Sequence, residues 1–323
     1  MINNLDNLRG KTVVVTGASG YISSALVDAL VNYSCKVIRI SRRELKPQLN
    51  TLTLRADVRS ANTWDWIVSR ADIIYHLAGN TSVYQATKNP LESLQSTLLP
   101  IIHLIQAAQN LKRVPRVVFA SSATVYGLTK ELPVPETTNP NPITVYDLHK
   151  FFAEQQLELA NKQGFLDSIT LRLANVYGPS SSPSSAEDRG ILNKVISSAL
   201  KGKDLMLYGG GNYLRDYVYI TDVVSAFLLS NAISKIESPF FNVASGTGTS
   251  VKNVFELVAK QVQCKINKNL SVYCVDWPDG TDSIDLRNFT AEINKFTNAT
   301  GWKPIVNLRD GVELAIMEFL EKT

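Results

Sequence analysis

The first half of the chain alternates short apolar runs with amphipathic stretches. Thr12–Thr16 (TVVVT) is β-branched and uninterrupted by charge, the pattern of a strand buried on both faces. A helical period follows over Tyr21–Asn32, with Ile22, Ala25, Leu26, Ala29 and Leu30 on one face. Further strands are expected at Lys36–Ile40, Leu52–Leu54, Ile73–Leu77, Val117–Ala120 and Ser168–Leu173, with helical segments between several of them. Strands alternating with helices predict an α/β fold, a doubly wound parallel sheet of Rossmann type covered on both faces. The second half is more broken. Asn175–Pro179 is turn-rich and Ser180–Ser185 is a serine-rich loop. Helices are expected at Leu192–Lys201, Val223–Ser230 and Val251–Val262, and strands at Phe240–Val243 and Leu270–Val275. These later segments predict a smaller C-terminal lobe, with an approximate boundary near Leu173, so residues 1–173 and 174–323 are taken as two interleaving parts.

Composition narrows the class. The 323 residues are 45% hydrophobic and 19% charged, with a formal net charge of +4 and no run of like charges. That excludes a strongly basic nucleic-acid binder and gives no reason to expect a membrane-surface partner. Cys35, Cys264 and Cys274 are scattered and odd in number, which argues against a disulfide framework and for a reducing cytoplasm. His76, His103 and His149 are too dispersed for a metal centre, so none is expected. The first residues lack the apolar core of a signal peptide, and no apolar stretch is long enough to span a bilayer.

Chemistry first enters at the turn after the first strand, where the chain reads T-G-A-S-G-Y-I-S over Thr16–Ser23. Glycines let the backbone turn tightly and approach a pyrophosphate, which the following helix N-terminus attracts with free N–H groups and its dipole. Gly17, Ser19, Gly20, Tyr21 and Ile22 are therefore candidate cofactor-binding residues. At the end of the second strand, an NAD site carries an acidic residue that binds the ribose hydroxyls. Ser41 stands there instead, followed by Arg42 and Arg43. A carboxylate would repel a 2′-phosphate, whereas serine and a guanidinium would bind it. NADP is expected in preference to NAD.

Two segments carry the reaction. Ser121-Ser122-Ala123-Thr124-Val125-Tyr126-Gly127 leaves an apolar strand at its carboxyl end, and Tyr146-Asp147-Leu148-His149-Lys150 gives Y-x-x-x-K on a helix. The i, i+4 spacing puts phenol and ammonium on one helical face. A free phenol titrates near pH ~10 and is a poor base at neutrality. A neighbouring cation favours the phenolate, making Tyr146 a general acid/base, Lys150 its electrostatic partner and a serine hydroxyl the group that holds the reacting oxygen.

Together these motifs resemble the extended short-chain dehydrogenase/reductase family, whose loop reads T-G-x-x-G-x-x-G. Ser23 replaces the third glycine. The resemblance selects Ser122 over Ser121, because the family's active hydroxyl directly precedes the Ala123 position. It implies that Asp57 and Val58 contact adenine and that Leu77, Ala78 and Gly79 lie along the cofactor. His76, just before them, reads better as a core histidine. Substrate contacts are implied for Thr124, for Asn175 in L-R-L-A-N-V-Y-G-P, and for Arg215 in R-D-Y-V-Y, whose guanidinium would meet a nucleotide diphosphate. Asp216 and Asp222 are read as structural. Gly301-Trp302-Lys303-Pro304 resembles the family's G-W-x-P ending.

Two departures stand out. The asparagine of the family's N-V-x-G-T run is missing from Ser96–Ile101, and the arginine expected before the final helices has only Arg287 as a loose counterpart. Family dehydratases carry an Asp-Glu pair where this chain has Ala123-Thr124, which is similar instead to the UDP-galactose 4-epimerase-like branch. The implied substrate is a nucleotide-diphosphate sugar, epimerised at C4 through a transient 4-ketone. An NADPH-dependent 4-ketoreductase is the alternative, and a non-catalytic NADP-binding sensor is a rival that the retained Tyr146 and Lys150 disfavour. Family members pair through two helices per subunit, so a homodimer is implied, through Leu98–Leu111 and Tyr146–Lys162.

Overall fold

The computed structural model describes residues 6–181, 190–234, 238–277, 279, 281 and 283–321. The first six strands are β1 (Thr12–Thr16), β2 (Lys36–Ser41), β3 (Thr51–Arg55), β4 (Ile73–His76), β5 (Arg116–Ser122) and β6 (Asp167–Leu173). Between them run α1 (Tyr21–Leu30), α2 (Ala61–Val68), α3 (Val83–Lys88), α4 (Pro90–Thr97), α5 (Leu99–Leu111) and α6 (Val145–Lys162). The chain continues through β7 (Asn175–Tyr177), α7 (Ile191–Leu200), β8 (Leu205–Tyr208), β9 (Leu214–Tyr219) and α8 (Ile220–Leu229). It ends with β10 (Phe240–Val243), β11 (Gly248–Ser250), α9 (Val251–Ile266), β12 (Val272–Val275), α10 (Asn294–Thr300) and α11 (Leu308–Glu321). Of the serine-rich loop, residues 182–189 lie outside the described residues.

Seven strands form one parallel sheet in the order β10-β6-β5-β4-β1-β2-β3. The β-branched run of β1 lies at its heart, with Val13, Val14 and Val15 fully buried. One face is covered by α1 and α8, whose Leu26, Leu30, Val223 and Phe227 share a core with Val13 and Val15. The other is covered by α2, α5 and α6 through Trp64, Leu104 and Leu157. The edge strand β3 is largely exposed, which explains why its sequence is more polar than its neighbours'.

One expectation is corrected. The sequence pattern places Phe240–Val243 in the smaller lobe, yet β10 pairs in parallel with β6 as the seventh strand of the central sheet. A short, fully buried apolar run reads the same in either sheet. What distinguishes this one is Asn242, buried and satisfied by the Val134 and Glu292 carbonyls and the Tyr126 hydroxyl. The remaining later strands form a three-stranded sheet, β11-β9-β7, and a two-stranded one, β12-β8. Helices α7, α9 and α11 pack with them around Ile196, Val258 and Ile316.

Candidate active site

The sheet order reverses between β1 and β4, and open α/β sheets bind ligands outside the carboxyl ends of strands at such a point. A cavity of about 480 Å³ opens there. It is lined by Gly17, Ser19, Gly20, Tyr21 and Ile22 from the β1–α1 turn and the start of α1, and by Ser41, Arg42 and Arg43 at the end of β2 and just beyond it. Asp57, Val58 and Arg59 after β3, and Leu77, Ala78 and Gly79 after β4, complete that end. Ser122, Tyr146, Lys150 and Asn175 stand at the other. Thr124 and Arg215 are not among its lining residues.

The β1–α1 turn is built for close approach. Gly17 has φ +66°, and a Cβ there would lie 2.9 Å from the Ala78 backbone. Gly20 caps α1 without a side chain, so the first N–H groups of the helix open toward the cavity. Ser23, in place of the third glycine, is buried and donates its hydroxyl to the Gly17 carbonyl, tying helix to loop. A dinucleotide pyrophosphate fits this cradle.

At the β2 end, the Ser41 hydroxyl accepts from the Arg43 N–H at 3.0 Å, turning the chain so that Arg42 and Arg43 stand exposed at the rim. Asp57 is gripped by Arg59 through Nε at 2.9 Å and Nη2 at 2.6 Å. Those bonds hold its carboxyl below the usual carboxylate range. Sequence reasoning passed over Arg59. Its place two residues beyond Asp57, on the same turn, was the available signal.

At the other end, the two adjacent serines differ. Both line the cavity, but the Ser121 hydroxyl donates to Glu154, while Ser122 Oγ accepts from the Thr124 hydroxyl at 2.9 Å. Thr144 caps α6 by accepting from the Asp147 N–H at 3.2 Å. One turn apart on that helix, Tyr146 and Lys150 both line the cavity. Lys150 is 5% exposed and donates to the Ala120 carbonyl at 2.8 Å, with its Nζ 4.8 Å from the Phe119 ring centre. Burial pulls its pKa down to about 8, with Glu154 opposing. His76 is a core residue, as expected: its Nδ1 meets Thr16 Oγ1 at 2.8 Å, and burial, then Lys150, push it down to about 3.

In the C-terminal half, the Asn175 amide donates to the Asp216 carbonyl at 3.0 Å. Arg215 donates to the backbone carbonyls of Arg287 and Asp285. Both arginines are only 8% exposed. Burial and the neighbouring Arg215 pull the Arg287 guanidinium down to about 10, and its Nε and Nη1 have no hydrogen-bond partner among the described residues. Two buried cations side by side, one with unused donors, suit a multiply charged anion. Asp216 and Asp222 are structural: Asp216 accepts from Ser245 and from the Gly246 and Ala291 N–H groups, Asp222 from the Ile305 and Val306 N–H groups. Among the described residues no group of His, Cys, Asp and Glu could hold a metal, and no helix is long and apolar enough to cross a membrane.

Comparison with known proteins agrees with this geometry. The family model "NAD dependent epimerase/dehydratase family" matches residues 13–244. The UDP-glucose 4-epimerase of Mycoplasma genitalium is 31% identical over 288 residues, covering 80% of this chain and 84% of that one. The crystal structure of UDP-glucose 4-epimerase with UDP-glucose from Thermotoga maritima superposes with a TM-score of 0.85 at 28% identity, covering 96% of this chain and 99% of that one. The Thermus thermophilus UDP-glucose 4-epimerase complexed with NAD gives 0.83 at 25% identity, covering 97% and 100%. Sequence, sheet order and site geometry agree, and the chain belongs to the NAD dependent epimerase/dehydratase family.

Proposed function

We propose that this protein is a nucleotide-sugar 4-epimerase, with Tyr146 as acid/base, Lys150 as its electrostatic partner and Ser122 as the hydroxyl that positions the reacting oxygen. The observation that carries the reading is the convergence of Ser122, Tyr146 and Lys150 on one cavity with the glycine turn of β1. A nicotinamide dinucleotide, when bound, supplies reversible hydride transfer at C4. Tyr146 takes the proton of the C4 hydroxyl and later returns it. Ser122, held by Thr124, aligns that oxygen. The Lys150 ammonium favours the phenolate. Arg215 and Arg287 fit the nucleotide diphosphate, a site that a buried guanidinium pair suits. The segment Ala123-Thr124 has no carboxylate pair to drive loss of water.

NADP is the preferred dinucleotide in this reading, supported by Arg42 and Arg43 at the rim and by the absence of a carboxylate at Ser41. The same arginines favour a second reading, an NADPH-dependent 4-ketoreductase. A cytoplasmic setting is supported by the thiols of Cys35, Cys264 and Cys274, all free. A homodimer is supported by the exposed apolar stripe of Leu148, Phe152 and Leu159 on α6.

The test is to incubate the protein with either dinucleotide and with UDP-glucose, UDP-galactose and their N-acetyl and uronic acid counterparts, and to follow C4 configuration by NMR. An epimer of unchanged mass is expected. Tyr146→Phe should retain cofactor affinity and lose about 10²–10⁴-fold in kcat. Loss of water from substrate, or near wild-type turnover by the phenylalanine variant, would overturn the assignment. Net oxidation of NADPH by a 4-keto sugar nucleotide, without epimerisation, would favour the reductase.

A further inference from the structure

Glu154 has no part in the chemistry just described, yet it lies fully buried directly beneath it. Ser121 and Arg172 are paired across the β5–β6 ladder, so their side chains share a sheet face. Glu154 comes down from α6 onto both. It accepts the Ser121 hydroxyl, and it accepts from Arg172 through Nε at 3.1 Å and Nη2 at 2.7 Å. Lys150, one turn back along α6, reaches the same strand one residue earlier, at the Ala120 carbonyl. Tyr146 is one turn further back. Tyr146, Lys150 and Glu154 thus run along one helix face at i, i+4 and i+8.

A buried Glu–Arg pair is a weak source of stability, because desolvation of the two charges offsets their attraction. Its surroundings suggest another use. The groups facing Lys150 are His76 from β4, the Phe119 ring and Ala120 carbonyl from β5, and Tyr146 and Glu154 from its own helix, with Arg172 of β6 bound to Glu154. His76 is neutral and Arg172 is cationic, which leaves Glu154 as the carboxylate of this group.

We propose that Glu154 is the positioning residue of the Tyr146–Lys150 pair: through Ser121 and Arg172 it fixes α6 on β5 and β6, and its charge one turn away keeps the Lys150 ammonium protonated. The inference rests on the proposed roles of Tyr146 and Lys150. It also accounts for the unequal serines, since both line the cavity and Glu154 takes up the hydroxyl of Ser121 but not that of Ser122. The sign follows from linkage. Burial has already brought Lys150 down to about 8, so its proton is lost as pH rises through that value. Without Glu154 the loss comes at lower pH.

The direct readout is the pH titration of Lys150 by NMR of the full chain labelled with 13C-lysine, assigned with Lys150→Met. In Glu154→Gln the midpoint should fall by about one unit or more, the scale of one close opposite charge. An unmoved midpoint in the folded variant overturns the inference, whatever happens to activity. Glu154→Gln leaves Arg172 bare in the core and is liable to unfold. Glu154→Gln/Arg172→Met removes both charges, and its midpoint is expected below that of Arg172→Met, which keeps Glu154. Equal midpoints in those two variants overturn the inference equally. The alkaline limb of the kcat profile separates the two readings. If it shifts with the Lys150 midpoint, both stand. If the midpoint falls while the limb stays, the inference holds and the catalytic role of Lys150 does not.

Discussion

Arg42 leaves β2 at the rim of the cavity, its guanidinium exposed and the neighbouring Ser41 hydroxyl already occupied by the Arg43 N–H. If it binds a 2′-phosphate, the contact is charge-assisted and worth roughly 1.5–3 kcal/mol. Arg42→Ala should then weaken NADPH by on the order of ten- to a hundredfold and leave NADH almost unchanged. Because the arginine is exposed, added salt should erode the preference in wild type. Titration calorimetry with both dinucleotides decides it, and equal affinity for NADH and NADPH would refute it. The residues in question were legible in sequence because strand ends of a parallel sheet converge. Gly17, Ser41, Asp57 and Ala78 lie far apart in the chain yet line one cavity, each at or just beyond the carboxyl end of a strand. Arg59 had only its place two residues beyond Asp57 to mark it. Glu154 was not legible, because it works through the Ser121–Arg172 pair, which no local pattern reveals.

At the scale of elements, the β1–α1 turn shows how little freedom the site leaves its backbone. Gly17 combines a left-handed φ of +66° with the Ala78 backbone 2.9 Å from where a Cβ would stand. Left-handed backbone costs an alanine about 1–2 kcal/mol, and the contact must be relieved by moving the turn or the strand behind it. Gly17→Ala should therefore lower the unfolding free energy by more than about 1 kcal/mol and cut dinucleotide affinity at the same time. Denaturant melts and cofactor titration measure the two effects, and unchanged values in both would show that the turn tolerates a side chain. Helices α1 and α6 were readable from their helical pattern. The place of β10 was not. Its four residues are all buried, and a buried run carries no alternation to say which sheet it joins. That is settled by long-range partners such as Val134 and Glu292, which satisfy Asn242.

Across the whole molecule, the later residues are bound into the dinucleotide half. Trp302 is buried in the same core as Phe227 and Phe241, and its Nε1 donates to the Asp222 carbonyl at 3.0 Å. Helix α6 faces two ways in this body. Tyr146 and Lys150 point into the cavity, while Leu148, Phe152 and Leu159, two positions out of phase, form a stripe on the opposite face. These three side chains are 38%, 43% and 49% exposed, and Ile102 on α5 is 39% exposed. An apolar stripe at helical spacing on a surface helix suits a self-complementary contact with a second copy, since a two-fold interface needs only one such patch. The protein is therefore expected to elute as a dimer by size exclusion with light scattering. Phe152 stands at the middle of the stripe, where a truncated or charged anchor costs 2 kcal/mol or more by the usual order of magnitude for interface centres. Phe152→Glu should thus raise the dimer dissociation constant by roughly thirtyfold or more. Because α6 also carries Tyr146 and Lys150, the dissociated variant should lose turnover at low protein concentration and recover it as concentration rises. A wild-type protein that stays monomeric at micromolar concentration, or a Phe152→Glu variant that dimerises as tightly as wild type, would mean that the stripe serves some other contact.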